Sequence, residues 1–446
     1  MRQPLTKEIL LNAQYRPDQI PAHPLRQALN DEAHARPPAA ILAPARLSTL
    51  TLFFDRDSGG QQEALEQLTG QLGFPPPTRG QAHYRAEKDG LLLRWSLHTE
   101  FARYTFVQHG QGAQDFEATA LDAIPQAWLA SLPGLALVGI HALLLPSSAA
   151  IPDSPRAIAG RWFDGHGLIG AEIGDGNGVV YTDLRLHPDS RLAGGFSRLV
   201  VIDRDMGPRQ SGRMLQRLFE IEAYRMLALL ALPMAKAQMQ TLDELGLALR
   251  AITERMSQPD SDDATMLGEL SQLSAATENL IAQSQYRFSA AHAYYQLVER
   301  RIGELRESRL PGLQPFREFM AHRLEPAMDT CLTISRRQDR LTARLQRATA
   351  LLRTRVEVIN EEQNKALLAS MDKRAELQLR LQQTVEGLSV GVLTYYAVGL
   401  IGYAAKAVKA AGVHLNAELL TGLSIPLVAL GVWWGVHRAK QALGHR

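Results

Sequence analysis

The stretch LQLRLQQTVEGLSVGVLTYYAVGLIGYAAKAVKAAG, from Leu377 to Gly412, changes from a polar helical pattern to an apolar one with no proline between the two parts. Its beginning carries arginine, glutamine and glutamate among leucines, whereas the part from Leu388 to Ala405 has no charged residue. A helix that continues through this boundary passes from water into an apolar environment. We therefore expect a water-exposed rod that enters a membrane directly.

A second apolar segment follows from Leu419 to Val436, and it is also uncharged. At about 1.5 Å of rise per residue, each segment covers most of a bilayer core of about 30 Å. The two segments predict a hairpin of transmembrane helices at about 388–405 and 419–436. The alternative is a pair of buried helices in a soluble bundle, which the same composition allows.

Basic residues flank the hairpin on both of its outer sides. Because basic flanks stay in the cytoplasm, they favour a multi-pass protein with its N- and C-termini in the cytoplasm. Lys406 and Lys409 in the connecting loop oppose this orientation. They are outnumbered by the flanking residues, which are Lys365, Lys373, Arg374, Arg380, His437, Arg438, Lys440 and Arg446.

The overall composition excludes several classes of protein. The chain has 446 residues, and its 48 basic and 46 acidic residues give a formal charge of +2. This balance gives no electrostatic support for nucleic-acid binding. Cys331 is the single cysteine, so no intrachain disulfide can form and we expect a reducing compartment. The N-terminal residues contain charges and prolines where a signal peptide needs a continuous apolar region.

Residues 1–205 predict a mixed α/β domain with mostly antiparallel strands. Four runs rich in β-branched and aromatic residues are bounded by turn residues. These runs are Pro44 to Asp55, Gly90 to Val107, Leu135 to Leu145 and Phe196 to Asp205, with helical patterns between them. The sequence DGNG inside GLIGAEIGDGNGVVYTDLRL supplies residues that tolerate left-handed backbone. It predicts a hairpin turn rather than a phosphate or calcium loop.

From Met206 onward, leucine, alanine and charged residues recur at helical spacing. Three long helices are predicted: one to Met256 with a kink at Pro233, one from Ala264 to Ser308, and a third that contains the opening stretch. A stripe from Leu341 to Thr384 has near coiled-coil spacing, and its later, polar half fits either helices around water or a solvated face. The domains are 1–205, a stalk over 206–384, the hairpin over 385–436 and a basic tail over 437–446.

Polar residues near the first apolar segment are the candidates for a pore lining. Glu386 and Ser389 fall on one helical face with Thr394 beside them, and a ring of glutamates in an oligomer would favour cations. Alternatively, Glu386 pairs at the interface with Arg380 or a neighbouring chain. The candidate pore-lining residues are Thr384, Glu386, Ser389, Thr394 and Tyr395, and those of the outer mouth are Gly402, Tyr403, Lys406 and Lys409.

Two further patterns in the hairpin bear on packing and on charge. Glycines four residues apart let helix backbones approach closely in lipid. These are Gly387 with Gly391 and Gly431 with Gly435. Lys406 and Lys409, repeated around a ring, would repel cations and attract anions. They keep an anion pathway open as an alternative.

Three polar clusters are candidate sites: two could bind a metal or act as acid and base, with a cap, an ion pair or a turn as the simpler interpretation, and the third could bind a divalent ion, with a solvated loop as the simpler interpretation. They are Glu32, His34 and Arg36; His98 and Glu100; and Asp260, Asp262 and Asp263. The first two sets share a face only if they lie on strands. No HExxH, CxxC, GxSxG, P-loop or Rossmann fingerprint accompanies these clusters. We expect no enzyme and no bound cofactor, and the sequence identifies no metal site.

Three motifs resemble one bacterial family. HPLRQALNDEAHARPP (His23 to Pro38), RLEPAMDTCLTISRRQDRL (Arg323 to Leu341) and VEGLSVGVLTYYAVGL (Val385 to Leu400) resemble the uncharacterised membrane proteins catalogued as domain of unknown function 3422. The similarity extends over nearly the whole chain. It implies the inner membrane of a bacterium, and the family name carries no activity.

The order of segments also resembles that of the CorA-type magnesium transporters. The resemblance implies a homo-oligomer, a pentamer in those transporters, in which Val385 to Ala405 would line a pore and Leu419 to Val436 would face lipid. Those transporters end their first membrane helix with a Gly-Met-Asn filter. This chain has Gly402, Tyr403 and two alanines there, so the resemblance does not extend to magnesium selectivity.

Together, these patterns predict a CorA-like homo-oligomeric ion channel or transporter of the inner membrane, for cations, gated by its cytoplasmic domain. Its expected partners are membrane lipid, further copies of the chain and inorganic ions. Two alternatives remain open. One is a membrane-anchored structural or sensory module without a pore, and the other is an anion pathway.

Overall fold

The structure is a computed structural model that describes residues 23, 25–27, 29–30, 38–54, 58–110, 114–258, 262–410 and 416–443. These residues fall into two compact units. The first, called the sheet unit below, lies within Met1–Pro259 and Gly268–Gln346. The second, the long-helix unit, lies within Asp260–Leu267 and Arg347–Arg446.

Nine strands of the described chain form one sheet in the order β2-β3-β4-β1-β5-β8-β7-β6-β9. Neighbouring strands among them pair antiparallel except β5 and β8, which pair parallel. The mostly antiparallel mixed sheet predicted from the sequence is therefore confirmed. The strands are β1 (Ala45–Phe53), β2 (His83–Lys88), β3 (Leu91–Leu97), β4 (Phe101–His109), β5 (Leu135–Pro146), β6 (Ile169–Ile173), β7 (Gly178–Asp189), β8 (Leu192–Asp203) and β9 (Ser308–Arg309).

Helices lie between the early strands and make up most of the later chain. The helices of the described residues are α1 (Gln61–Leu72), α2 (Gln126–Ala130), α3 (Pro155–Trp162), α4 (Pro208–Leu229), α5 (Ala231–Met256), α6 (Asp263–Leu305), α7 (Phe316–Arg323), α8 (Glu325–Ala410) and α9 (Ala417–Leu443). A short 3-10 helix covers Ala120–Ala123.

Strand alternation sorts the side chains of β3 and β4 onto the two faces of the sheet. On one face, Tyr104 and Phe106 pack with Leu65 and Leu68 of α1 and with Trp128 of α2 in a buried apolar core. Tyr104 and Trp128 meet edge to face with their ring centroids 5.3 Å apart. This aromatic cluster fixes α1 and α2 against the first half of the sheet.

Helix α4 covers the opposite face, with Leu215 and Phe219 buried. The chain around Ala39 crosses this helix at Gly212, where an added Cβ would lie 1.7 Å from the Ala39 carbonyl oxygen. The backbone N–H of Ile41 donates to the Pro208 carbonyl oxygen at 2.9 Å beside this crossing. A glycine is needed at position 212 because any side chain would overlap the backbone.

Local turn signals predict some of these connections well and one of them poorly. The DGNG hairpin is confirmed: β6 and β7 pair antiparallel, and Gly174, Asp175 and Gly176 have positive φ angles. The run from Gly90 to Val107 is two strands, because His98, Thr99 and Glu100 form the turn between β3 and β4. The prediction that His98 and Glu100 share one face of a strand is therefore wrong.

The long helices start and stop near the predicted residues. The predicted helix from Met206 to Met256 is interrupted at Leu230, three residues before Pro233, because proline lacks an N–H and crowds the carbonyl four residues earlier. Helix α8 runs for 86 residues without a break, which confirms a continuous helix through the opening stretch. Two helices, within Phe316–Ala410 and Ala417–Arg438, are long and apolar enough to cross a membrane.

A buried histidine on β5 makes the stability of the sheet unit dependent on pH. His141 Nδ1 lies 2.8 Å from Ser48 Oγ, its Nε2 lies 3.3 Å from Asp189 Oδ2, and its ring stacks on Phe196. Burial lowers the pKa of His141 from 6.5 to about 4, against the opposing effect of Asp189. Below pH 6.5 the unfolded chain therefore binds a proton that the folded chain does not.

We predict that the free energy of unfolding falls by about 2 to 3 kcal/mol between pH 7.5 and 4.5 through His141 alone. His141→Gln removes this component, and urea unfolding of the full chain at the two pH values, followed by tryptophan fluorescence, measures it. His322→Gln, at an exposed position on α7, is the matched control. An unchanged pH dependence in His141→Gln would contradict the prediction.

Candidate functional site

An irregularity in β7 brings two polar side chains together in the sheet unit. The register between β7 and β8 shifts between Thr182 and Leu186, and Leu184 has a φ of 52°. In a regular strand, residues four apart are separated by about 13 Å. Here the bulge shortens the path, so that Asp183 Oδ2 and His187 Nε2 lie 3.0 Å apart.

A turn after α3 supplies two more polar side chains. Asp164 and Gly165 have φ angles of 52° and 80°, and the turn presents Asp164 and His166 to the bulge. His166 Nδ1 lies 2.8 Å from Asp183 Oδ2, and His187 Nδ1 lies 2.8 Å from Asp164 Oδ2. The cluster therefore joins two segments that are about 20 residues apart in the chain.

The depth of these groups differs within the cluster. The side chain of Asp183 is fully buried and that of His187 is 2% exposed, whereas His166 is 35% exposed. The other oxygen of Asp183, Oδ1, accepts the backbone N–H of Arg185 at 3.1 Å. A ligand could thus reach the buried carboxylate past His166.

The protons available to His187 restrict what the cluster can be. Both of its ring nitrogens face a carboxylate oxygen at hydrogen-bond distance. A neutral imidazole has one N–H, so one of the two contacts would place two lone pairs against each other. Either an added proton removes this conflict, on the ring or on a carboxyl group, or a cation lies between Nε2 and Asp183. The first alternative is a structural ion pair or hydrogen bond and the second is a metal site.

The donor set and its surroundings suit a metal ion. The ligand atoms of His166, Asp183 and His187 all lie within 4.8 Å of one another. Two imidazoles and one carboxylate are ligands that Zn²⁺ and related divalent ions accept. Asp164 would act through His187, because a carboxylate on the remote nitrogen of a ligating histidine fixes its tautomer. The hydrogen bond with His187 lowers the pKa of Asp164, with Arg198 as a lesser cause, so this carboxylate is ionised.

Sequence reasoning missed this cluster, and the signals that could have found it are short. They are DGH at positions 164–166 and an Asp and a His four residues apart in TDLRLH. Neither signal is specific, because the contact between Asp183 and His187 depends on a bulge in β7 that the local sequence does not predict. The sequence predicts no bound cofactor, and a metal held here would revise that expectation.

The predicted pore-lining residues lie on α8 in the long-helix unit. The hydroxyls of Thr384, Ser389 and Thr394 each donate to the carbonyl oxygen four residues earlier, at 2.9, 2.8 and 2.7 Å. Glu386 is half-buried and Tyr395 is 77% exposed. Arg380, the alternative partner for Glu386, pairs with Glu376 at 2.7 Å. The hydroxyl donors are satisfied inside the helix, and their oxygens can still accept.

One motif in this segment resembles a catalytic pattern by spacing alone. Gly387, Ser389 and Gly391 match the GxSxG spacing of a hydrolase nucleophile. That nucleophile needs a sharp turn between a strand and a helix, whereas Ser389 lies inside α8 and donates to Val385. The match therefore carries no catalytic site.

The predicted outer-mouth and packing residues divide between contact and exposure. Gly402 is the point where α8 and α9 approach, since an added Cβ would lie 3.3 Å from Thr421 Cγ2. Tyr403, Lys406 and Lys409 are exposed. Apart from the adjacent residues and backbone of the same helix, no described atom lies within 4 Å of an added Cβ at Gly387, Gly391, Gly431 or Gly435, so their packing role, between chains, stays a prediction.

A groove of about 620 Å³ lies between α8 and α9 within the long-helix unit. Its walls include Gly391, Tyr395, Gly399 and Tyr403 of the first apolar segment and Thr421 and Ile425 of the second. Such a surface leaves space for lipid or for another copy of the chain.

The polar clusters named from the sequence have structural partners where the structure describes them. Glu100 is 1% exposed and accepts two hydrogen bonds from the Arg287 guanidinium, at 3.2 and 2.9 Å. Asp262 accepts the backbone N–H of Thr265 at 3.2 Å, and Asp263 pairs with Arg355 at 3.3 Å. The remaining members, Glu32, His34, Arg36 and Asp260, lie outside the described residues.

We predict that the full chain retains on the order of one Zn²⁺ per copy after dialysis, measured by elemental mass spectrometry. His166→Ala and Asp183→Asn should lose this metal, because each removes one of three ligands. His322→Ala removes an exposed histidine elsewhere and should leave the metal content unchanged. Equal metal content in all variants would identify the cluster as an ion pair.

Comparison with known proteins gives a family but no activity. No curated protein and no solved structure matches the chain, so the resemblance to CorA-type transporters stays a prediction. One family model matches residues 21–443, which is nearly the whole chain. The chain therefore belongs to the family described as "Protein of unknown function (DUF3422)".

Proposed function

We propose that the protein is a homo-oligomeric ion channel or transporter of the bacterial inner membrane. Its first apolar segment would line a passive pathway for cations, and the sheet unit would control it from the cytoplasm. Both termini would lie in the cytoplasm, and the complex would be CorA-like in its arrangement. The proposal rests on one observation, which is the unbroken helix α8.

Helix α8 supports the proposal because it contains both a water-exposed part and an apolar part with no break between them. Its early residues Leu341 and Leu345 are buried in the sheet unit, and it continues through the first apolar segment to Ala410. A flexible loop would be sufficient to attach the sheet unit to a membrane anchor. An unbroken helix, in contrast, can transmit a rotation or a shift along its length. The geometry therefore favours transmission over simple attachment.

The surface of α8 supports assembly of several copies. Leucine and methionine side chains on its water-exposed part are 57–66% exposed. They are Leu367, Leu368, Met371, Leu377, Leu379 and Leu381. A lone helix of this length gains little stability from its own hydrogen bonds, because most helical stability in proteins comes from packing. Copies of α8 that pack together would bury these side chains and bring the Glu386 carboxylates into one ring.

A second candidate function is a membrane-anchored binding module without a pore. The His166–Asp183–His187 cluster favours it, because a metal site in the sheet unit has no need of a membrane pathway. Exposed Lys406 and Lys409 also oppose cation entry at the outer side and would suit an anion pathway. The two predictions below distinguish these alternatives.

We predict that the detergent-solubilised protein contains at least four copies of the chain. Native mass spectrometry or light scattering with the detergent mass subtracted measures this number. Four or more rods can surround a central water path, whereas a monomer or a dimer has too few. A stable dimer would therefore favour the anchored module.

We predict that Glu386→Gln lowers cation flux into liposomes by about tenfold relative to chloride while the oligomer stays intact. The reason is that a ring of carboxylates concentrates cations at the pore entrance. Glu376→Gln is the matched control, since Glu376 lies on α8 before the first apolar segment and pairs with Arg380. Equal flux in the two variants would remove Glu386 from the pathway.

A further inference from the structure

A second cluster of charge lies on the face of the sheet that α4 covers. Arg85 of β2 is directly opposite Arg94 of β3, and Ser96, two residues beyond Arg94, is opposite Arg103 of β4. The three arginines therefore occupy neighbouring positions on one face. Like charges at such positions destabilise a sheet unless something opposes them.

These arginines line a cavity of about 370 Å³ inside the sheet unit. Helix α4 lines it with Gln216, Phe219 and Glu220, α6 contributes Arg301, and the cavity opens to solvent on the side of the exposed Arg85. This volume lies within the range of small-molecule sites in proteins. The cavity is distinct from the His166–Asp183–His187 cluster, and the two share no residue.

The described lining of the cavity is rich in arginine. Its described lining residues include four arginines and a single carboxylate, that of Glu220. Glu220 already binds Arg301 and accepts from Gln216 Nε2 at 2.8 Å, whereas Arg103 Nη1 is 3.9 Å away. Arg301 is further paired with Glu304 at 3.0 Å. The Glu220 carboxylate is thus engaged by Arg301 and Gln216, and Arg103 Nη1 lies beyond hydrogen-bond distance from it.

Arg103 is the most constrained of these groups. It is 8% exposed, and its Nε and Nη2 atoms are buried with no hydrogen-bond partner among the described residues. The rings of Phe101 and Tyr224 lie 5.7 and 5.8 Å from its guanidinium carbon and offset only part of the charge. Unsatisfied buried donors on a cation are costly, so this arrangement calls for an acceptor.

The positive charges of the neighbouring arginines also affect the pKa of Arg94. Burial lowers the pKa of Arg94, and the positive charges of Arg85 and Arg103 lower it further, against the attraction of Glu220. Arg94 also donates to Gln216 Oε1 at 3.3 Å, which holds its side chain toward α4.

We propose that this cavity is a binding site for a multivalent anion, namely a small molecule that carries a phosphate group. The planar guanidinium presents several N–H donors and binds phosphate oxygens in pairs. A dianion would supply acceptors for Arg103 Nε and Nη2, beside the guanidinium groups of Arg85 and Arg94 that also line the cavity. The apolar wall at Phe219 would contact the remainder of the molecule. This inference does not depend on ion transport.

Thermal unfolding and titration calorimetry of the detergent-solubilised full chain test the site, with inorganic pyrophosphate as the probe. Sodium chloride at the same ionic strength is the control for general screening. We expect pyrophosphate to raise the unfolding temperature beyond the chloride control, with saturation at one site per copy. No shift beyond that control would overturn the proposal.

Substitutions separate a ligand site from a structural role of the arginines. Arg103→Gln and Arg94→Gln should weaken pyrophosphate binding by about tenfold or more, since each removes charge-assisted hydrogen bonds. Without pyrophosphate, Arg103→Gln should unfold at the wild-type temperature or above it, because it removes a buried cation with unsatisfied donors. Arg300→Gln, an exposed neighbour of Arg301 that does not line the cavity, should bind as the wild type does.

Two results would count against the site. One is a variant that keeps wild-type affinity, which would place the anion elsewhere. The other is a fall in the unfolding temperature of both Arg103→Gln and Arg94→Gln together with no effect of pyrophosphate on the wild type. That outcome would identify the arginines as structural partners of Glu220. Arg94→Gln carries the same test if Arg103→Gln does not fold.

Discussion

The alternation of side chains along β3 and β4 is the constraint on which much of the sheet unit depends. Alternate residues of β4, including Tyr104 and Phe106, face α1 and α2, and the burial of these rings stabilises that side of the sheet. The residues between them, and Arg94 on β3, face the opposite side, so Arg94 and Arg103 point toward α4. A shift of register by one residue would bury the arginines in the aromatic core, so the core fixes the place of the charges. The cavity is a consequence of the same pattern that makes the fold stable.

The second unit follows a different rule, because its long helix has little to pack against within the chain. Leu352 is buried, whereas Leu367 and Leu377 farther along α8 are 59% exposed. The stripe from Leu341 to Thr384 therefore has two parts. The apolar side chains of the early part are buried within the chain, whereas those of the later part are exposed and could pack on another molecule. The apolar segments differ again, since Leu388 and Leu427 are both 72% exposed and would be satisfied by lipid. Under the proposed function, α8 would pass through three environments, which would explain why its composition changes without a break.

The features that the sequence predicted are those with a local physical cause. The DGNG turn follows from residues that accept positive φ angles, and the interruption before Pro233 follows from a missing N–H. The turn at His98 to Glu100 was missed because it contains no glycine, proline or asparagine. Its one signal was length, since a run of 18 residues exceeds an ordinary strand. The contacts of His187 with Asp164 and of Arg85 with Arg94 depend on register and on a bulge, which no single segment encodes.

The two candidate sites of the sheet unit are opposite in charge and alike in origin. In one, Asp183 and Asp164 surround His187 and favour a cation; in the other, Arg94 and Arg103 favour an anion. A ligand that binds either site only in the folded protein would stabilise the folded sheet unit by mass action. A ligand changes activity only when it binds two states of a protein with different affinity. If α4 shifts relative to the sheet between such states, the arginine cavity changes with it, because its walls belong to both. The position of the cavity between a helix and a sheet, rather than its charge alone, is what would make an anion there a regulator.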